Sequence, residues 1–139
     1  FDAIGHIDVV KRYLHPLVTP AVLAGAPELY EPILRALVDS GTALEVNTSG
    51  LRHPCEETYP SPAIVARFRE LGGERVTVGS DAHRSNHFAW ALADGYAAAA
   101  AAGFVPEAGR GLALPRHRGV GPALPRHRGL RQGAYERGS

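Results

Sequence analysis

The chain has 139 residues, 45% apolar and 21% charged, with a formal net charge of +1; this describes an ordinary globular protein and singles out no class of partner. A lone cysteine, Cys55, excludes an internal disulfide and fits a reducing, cytoplasmic setting. No apolar run approaches the roughly 20 residues that span a bilayer, no signal-peptide pattern is found, and only the Arg-rich C-terminal end offers anything to nucleic acid.

The chain opens on Phe1 and reads as a piece of something longer. Residues 3–7 form the first predicted strand, which carries His6; Pro16 and Pro20 then break the polar-apolar segment beyond it. Leu29, Ile33, Leu34 and Leu37 recur at helical spacing and predict a helix over 28–39, with Pro32 in its first turn and Ser40-Gly41 as its stop. Residues 43–47 are the second strand, with Glu45 and Asn47 on one face and Leu44 and Val46 on the other. Ser61-Pro62 signals a helix start, Ser61 as cap and Pro62 at the first helical position. Ile64, Val65, Phe68 and Leu71 supply that helix's apolar stripe, and Gly72-Gly73 end it. Residues 75–78 are the third strand. Residues 88–102 have the composition of an alanine-rich helix, closed by Gly103, with Phe88 and Trp90 on its packing face. Gly95 interrupts it at a cost of about 1 kcal/mol relative to Ala.

The C-terminal segment breaks from this pattern. Ala113-Leu114-Pro115-Arg116-His117-Arg118-Gly119 recurs as Ala123-Leu124-Pro125-Arg126-His127-Arg128-Gly129. Rich in Gly, Pro and Arg, residues 107–139 are expected to form a disordered tail behind a folded unit over 1–106. Its Arg-His-Arg clusters suit an anionic surface such as RNA; a duplicated or misread gene end is the better account.

Strand and helix alternate three times, which implies an α/β fold with parallel strands joined by right-handed crossovers. Active sites of such folds lie at the carboxyl ends of the strands, where His6, Glu45, Asn47, Asp81 and His83 are all placed. The most telling run is Val76-Thr77-Val78-Gly79-Ser80-Asp81-Ala82-His83. Residues i and i+2 of a strand share a face, so Asp81 and His83 aim at one cation or at two neighbours. Oxygen plus imidazole nitrogen suits divalent Zn, Mn or Fe. The plainer alternative makes Asp81 a helix cap and His83 a surface residue. Three strands do not close a barrel, which needs roughly 250 residues.

Gly5-His6-Ile7-Asp8, Glu45-Val46-Asn47-Thr48-Ser49-Gly50-Leu51-Arg52, Tyr59-Pro60-Ser61-Pro62 and Gly79-Ser80-Asp81-Ala82-His83 resemble, in this order, the C-terminal half of the PHP family of metal-dependent phosphoesterases. The match is best with the histidinol-phosphatase branch and covers roughly the first hundred residues. The resemblance implies part of a distorted seven-stranded (β/α) TIM-like barrel with up to three divalent ions at its strand ends. It implies that His6, Asp81 and His83 are ligands of different metals, with Asp81 and His83 serving opposite ends of the cluster. It also implies that the opening His-x-His motif, a further histidine and a bridging glutamate belong to a missing N-terminal half, without which this chain is expected to be inactive.

A phosphorylated small substrate needs cations beyond the metals, and a guanidinium offers paired donors to phosphate oxygens. Arg52 and Arg12 are the candidates, each with a solvated surface role as the alternative. Glu45 is read as orienting a ligand histidine, holding the substrate's amino group or pairing with an arginine. Asn47 is read as a substrate contact or a turn stabiliser. His15 and His53 read as surface residues, Cys55 as a bland half-buried thiol, and His87 as metal-like only if it shares a helix with His83. No general acid for the leaving group is assigned. Two further classes stay open: another PHP phosphoesterase, acting on nucleotides or attached to a polymerase, and a non-catalytic interaction fragment.

Overall fold

Three short parallel strands lead to the candidate residues, most of which lie in the loops and turns beyond them. The computed structural model describes residues 1–107 and 111–113; most of the expected tail, including the second copy of the repeat, lies outside the described residues. The elements are β1 (Ala3–Ile4), α1 (Val10–Tyr13), α2 (Pro20–Ala24), α3 (Glu31–Ser40), β2 (Ala43–Asn47), α4 (Pro62–Glu70), β3 (Arg75–Gly79), α5 (Leu92–Ala101), β4 (Val105–Glu107) and β5 (Gly111–Ala113). Short 3-10 turns lie at Pro27–Leu29, Thr48–Arg52 and Ser85–His87. No helix among the described residues is long and apolar enough to cross a membrane.

The sheet order is β1-β2-β3-β5-β4. β1, β2 and β3 are parallel, as the alternation of strand and helix predicts, and the register sets Ile4 opposite Leu44 and Leu44 opposite Val76. β5 then runs antiparallel along β3 and pairs with β4. The sheet is therefore mixed, and Gly111–Ala113 is strand where the composition predicts tail. Apolar Leu112 lies opposite Val76 and extends the sheet by one pairing that a Gly- and Arg-rich window conceals.

Leu44, Val46 and Val76 are fully buried and pack with Leu34, Leu37, Ile64, Val65 and Phe68 from α3 and α4. Each such side chain contributes about 1.5–3 kcal/mol. Phe68 stacks on Phe104 at 6.4 Å between centroids. Gly41, left-handed at φ 66, ends α3 as predicted. Leu29 and Ile33 are exposed, against the predicted stripe: Leu29 belongs to the separate turn, since α3 begins only at Glu31, and Ile33 lies on the outer face of α3. Glu31 instead ties α3 to α4 by accepting from Arg67 Nη2 at 2.9 Å.

Two further expectations change. Ser61 precedes α4, but its hydroxyl makes no cap; its backbone N–H donates to Asp8 Oδ2 at 2.9 Å. The last helix begins at Leu92 rather than at residue 88, because Ala89 and Ala91 are left-handed at φ 55 and 52. Phe88 is left exposed.

Gly95 is a packing requirement rather than a defect. A Cβ there would lie 2.6 Å from Val78 Cγ1 and 2.8 Å from Thr48 Cγ2. Overpacking costs about 1–3 kcal/mol, against a gain of about 1 kcal/mol in helix propensity. Gly95→Ala is expected to lose about 1–2 kcal/mol in urea unfolding; a stabilised variant would show that α5 is free to move off the sheet.

Lys11 is wholly buried. Its Nζ lies 2.9 Å from Asp8 Oδ2 and donates to the Thr58 carbonyl at 2.8 Å. Removing one partner of a buried pair costs about 3–5 kcal/mol because the other charge is stranded. Lys11→Met is expected to lose stability on that scale, and a loss below about 1 kcal/mol would mean that water reaches the pair.

Candidate functional site

β1 stops at Ile4, short of the prediction, and the chain turns away through Gly5 and a left-handed His6 at φ 60. Gly5 is needed there: a Cβ would collide with the Glu45 carboxylate, which lies between Gly5 and Gly79. β3 likewise ends at Gly79, and Asp81 is left-handed at φ 48. Asp81 and His83 therefore lie on a loop and not on a strand face. They meet by a different route, His83 Nε2 approaching Asp81 Oδ1 at 3.0 Å. The other oxygen, Oδ2, lies 3.5 Å from His6 Nε2. One carboxylate thus stands between two imidazoles, and two of the three residues hold a backbone conformation that costs about 1–3 kcal/mol and is concentrated at functional sites.

The nitrogen, oxygen and nitrogen donors match what divalent Zn, Mn or Fe takes. Among the described residues, however, no three His, Cys, Asp or Glu side chains form a group that could hold an ion. The two imidazoles reach different oxygens of Asp81, so the trio supplies donors without closing a cage. His87 sits in the turn after His83 and not on a shared helix with it.

Tyr59 is the platform beneath this cluster, and sequence reasoning missed it. It is fully buried and bridges the end of β2, exchanging backbone hydrogen bonds of 2.8 Å with Asn47 in both directions. His6 lies 5.9 Å from its ring centroid, and His53 is stacked on it at 6.5 Å and 24°. Burial, together with the Cys55 thiol that hydrogen-bonds its oxygen at 3.4 Å, pushes the Tyr59 hydroxyl far above its usual range. The Tyr-Pro-Ser-Pro run is the signal for it, although by pattern alone that run marks only a helix start.

The remaining candidates divide. Arg52 reaches the Asp81 loop, donating from Nη2 to the carbonyls of Ser80 (3.2 Å) and Asp81 (3.4 Å), with its guanidinium 5.1 Å from the Trp90 ring centroid. Its Nη1 is buried without a hydrogen-bond partner. Arg12 is exposed over Tyr13, yet close enough to act electrostatically on His53 and Tyr59. Glu45 is half-buried at the strand ends and pairs with no arginine among the described residues. Asn47 is buried, and its Oδ1 accepts from the Ser49 N–H at 2.9 Å, stabilising the turn that leads to Arg52. A cavity of about 380 Å³ lined by residues such as Gly41, Thr42, Gly73 and Glu74 opens at the amino ends of β2 and β3, the wrong end for these residues.

His53 is partly buried rather than a surface residue. Burial first, then the Arg12 and Arg52 guanidiniums, hold its imidazole below 6.5, opposed by Asp81. A folded-state value below the unfolded one gives stability that is complete above 6.5 and is lost as pH falls through the folded value. NMR titration is expected to place the His53 midpoint below 6.5, and Arg52→Gln to raise it. A midpoint at or above 6.5 would mean that the guanidiniums are screened from it.

No family model matches the chain. Among curated proteins it is 37% identical to a probable histidinol-phosphatase of Deinococcus radiodurans over 94 residues, covering 68% of this chain and 33% of that protein. It is 40% identical to the probable histidinol-phosphatase of Thermotoga maritima over 88 residues, covering 63% and 35%. The histidinol-phosphatase of Saccharomyces cerevisiae is 32% identical over 101 residues, covering 58% and 30%. The chain spans about a third of the length of these relatives. Five such similarities agree in kind: over the matched residues this chain is similar to histidinol-phosphatases.

Proposed function

We propose that the parent of this chain hydrolyses a phosphate monoester, L-histidinol phosphate, to histidinol and phosphate in histidine biosynthesis. The observation that carries this is the Asp81 carboxylate set between His6 and His83, beside Arg52, in a chain whose relatives bear that name. In this reading residues 1–106 are part of a PHP-type (β/α) barrel, whose parallel beginning is β1-β2-β3. A cytoplasmic setting is supported by the single free, buried thiol of Cys55.

Divalent cations, when bound, neutralise a phosphate's charge and lower the pKa of a coordinated water towards ~7. His6, Asp81 and His83 supply donors to them, and the ligands that close the cage come from outside the described residues. Arg52 holds the Asp81 loop through two backbone carbonyls and leaves Nη1 for a phosphate oxygen. Arg12 adds a second positive charge from the α1 side. Glu45, fixed between Gly5 and Gly79, orients the strand ends or takes the substrate's ammonium group.

The incomplete donor set among the described residues favours a second statement: this chain alone does not turn over. The test joins this chain to the segments of the Deinococcus radiodurans relative that it does not match, and measures phosphate release from histidinol phosphate with added Mn or Zn. The joined protein is expected to be active only with metal, and Asp81→Asn to lower its rate by at least about 100-fold. Turnover by the isolated chain would remove the incomplete-cage reading. Hydrolysis of other phosphomonoesters but not of histidinol phosphate would replace the substrate.

A further inference from the structure

The segment from Ser80 to Trp90 carries Asp81 and His83, yet burial does little to hold it. Ala82 to Asn86 are exposed, Phe88 is 80% exposed, and Asp81 and Ala89 are left-handed at φ 48 and 55. Contacts at its two ends must impose such a conformation, and both ends reach the same turn, Thr48–Arg52. At the front, Arg52 Nη2 donates to the carbonyls of Ser80 at 3.2 Å and Asp81 at 3.4 Å. At the back, the hydroxyl of the buried Thr48 donates to the Trp90 carbonyl at 2.8 Å. The half-buried Trp90 ring then reaches back to the front contact: its centroid lies 5.1 Å from Arg52 Cζ.

We propose that Trp90 is a positioning residue for the Asp81 and His83 pair, acting through Arg52 as a latch that joins the two ends of the segment. An aromatic face attracts a guanidinium and covers its plane while leaving the N–H groups at its edge free. One arginine can therefore stack on the ring and donate to the carbonyls at the same time. The turn that carries it is itself fixed, since Asn47 Oδ1 accepts from the Ser49 N–H at 2.9 Å and Thr48 is fully buried. Without the ring, two long hydrogen bonds hold one end of the segment and one holds the other, with nothing to couple them. His83 depends most on that coupling: its side chain is 83% exposed, so its place 3.0 Å from Asp81 Oδ1 is set by the backbone of the segment and not by burial. A role in packing alone would be served by any large apolar side chain at this position, whereas the latch requires an aromatic face. This rests on the phosphomonoesterase reading for its effect on turnover, and on the contacts alone for its effect on the segment.

Arg84 places an exposed trypsin site inside the segment. The whole chain in EDTA is digested under native conditions, and cleavage after Arg84 is followed by mass spectrometry against cleavage after Arg35, which is exposed on α3. Trp90→Leu is expected to raise the Arg84 rate about tenfold, with the Arg35 rate and the Tm unchanged, because only the open form of the segment gains population. Trp90→Phe, which keeps an aromatic face, is expected to recover most of the protection. NMR gives a second signature: the Arg52 side-chain protons are expected upfield of their ordinary positions in the parent chain, under the Trp90 ring current, and at their ordinary positions in Trp90→Leu. Unshifted Arg52 protons in the parent overturn the proposal, and so does a folded Trp90→Leu cut no faster at Arg84 or a Trp90→Phe cut as fast as Trp90→Leu. If Trp90→Leu fails to fold, the Arg52 shifts of the parent decide alone. In the protein joined to the Deinococcus radiodurans segments, Trp90→Leu is expected to raise the Mn concentration for half-maximal rate roughly tenfold. Faster cleavage at Arg84 with no turnover by any joined protein counts against the hydrolase, and turnover whose Mn dependence ignores Trp90→Leu counts against the latch.

Discussion

The buried ammonium of Lys11 is the contact on which the candidate site depends. It is reached three residues after Asp8, in the first turn beyond β1, and it is sealed from water. From there it holds the Thr58 carbonyl at 2.8 Å, while Asp8 holds the Ser61 N–H at 2.9 Å, so that one ion pair fixes both sides of Tyr59. Lys11 Nζ also lies 5.3 Å from the Tyr59 ring centroid. Tyr59 in turn closes onto Asn47 and supports His6 and His53. Burial raises the Asp8 carboxyl above its usual 3.8 even against the Lys11 charge beside it. A charge pair this enclosed adds little net stability compared with apolar packing; what it adds is position. It joins residues 53 positions apart in sequence at the carboxyl end of the sheet.

Where local pattern and tertiary demand agree, the sequence is legible. Residues 43–47 alternate and are a strand; Ile64, Val65 and Phe68 recur at helical spacing and are buried. The convergence of His6 with Asp81 reflects the rule that parallel strands deliver functional residues at their carboxyl ends, although neither residue is on a strand. The features that sequence conceals have a common physical origin. His6, Asp81, Ala89 and Ala91 are non-glycine residues at positive φ, a state that no local propensity favours and that surrounding contacts must impose. Lys11 and His53 belong to residue types that are usually solvated, and only long-range packing encloses them. Gly95 looks like a weak point in a helix until Val78 and Thr48 are seen pressed against it.

The sheet edges show a second consequence of tertiary context. A row of unpaired backbone groups on a parallel strand invites pairing with another chain. On the β3 side β5 covers that edge at Arg75 and Val76, and its three residues come from a window that composition assigns to the tail. Composition fails there because a strand of three residues needs only one or two apolar side chains and a waiting edge. β1 remains the outermost strand at the opposite side of the described sheet, two residues long and next to His6. The candidate site therefore spans the sheet from its edge at β1, which His6 follows, to its middle at β3, which Asp81 follows.

That location bears on the charge balance of the Asp81 cluster. A carboxylate flanked by two imidazoles has both oxygens engaged, Arg52 is bound only to backbone carbonyls, and Glu45 between Gly5 and Gly79 is a further acid at these strand ends. Two carboxylates leave a divalent cation short of oxygens. Further acids can come from either side, because β5 pairs with β3 only at Arg75 and Val76 and gives the carboxyl end of β3 no strand partner on that side among the described residues. Since this chain spans about a third of its relatives, the residues best placed to supply those acids are the ones it does not match. The phosphate-facing half and the metal-closing half of the proposed site would then come from different parts of the protein, and neither half would work without the other.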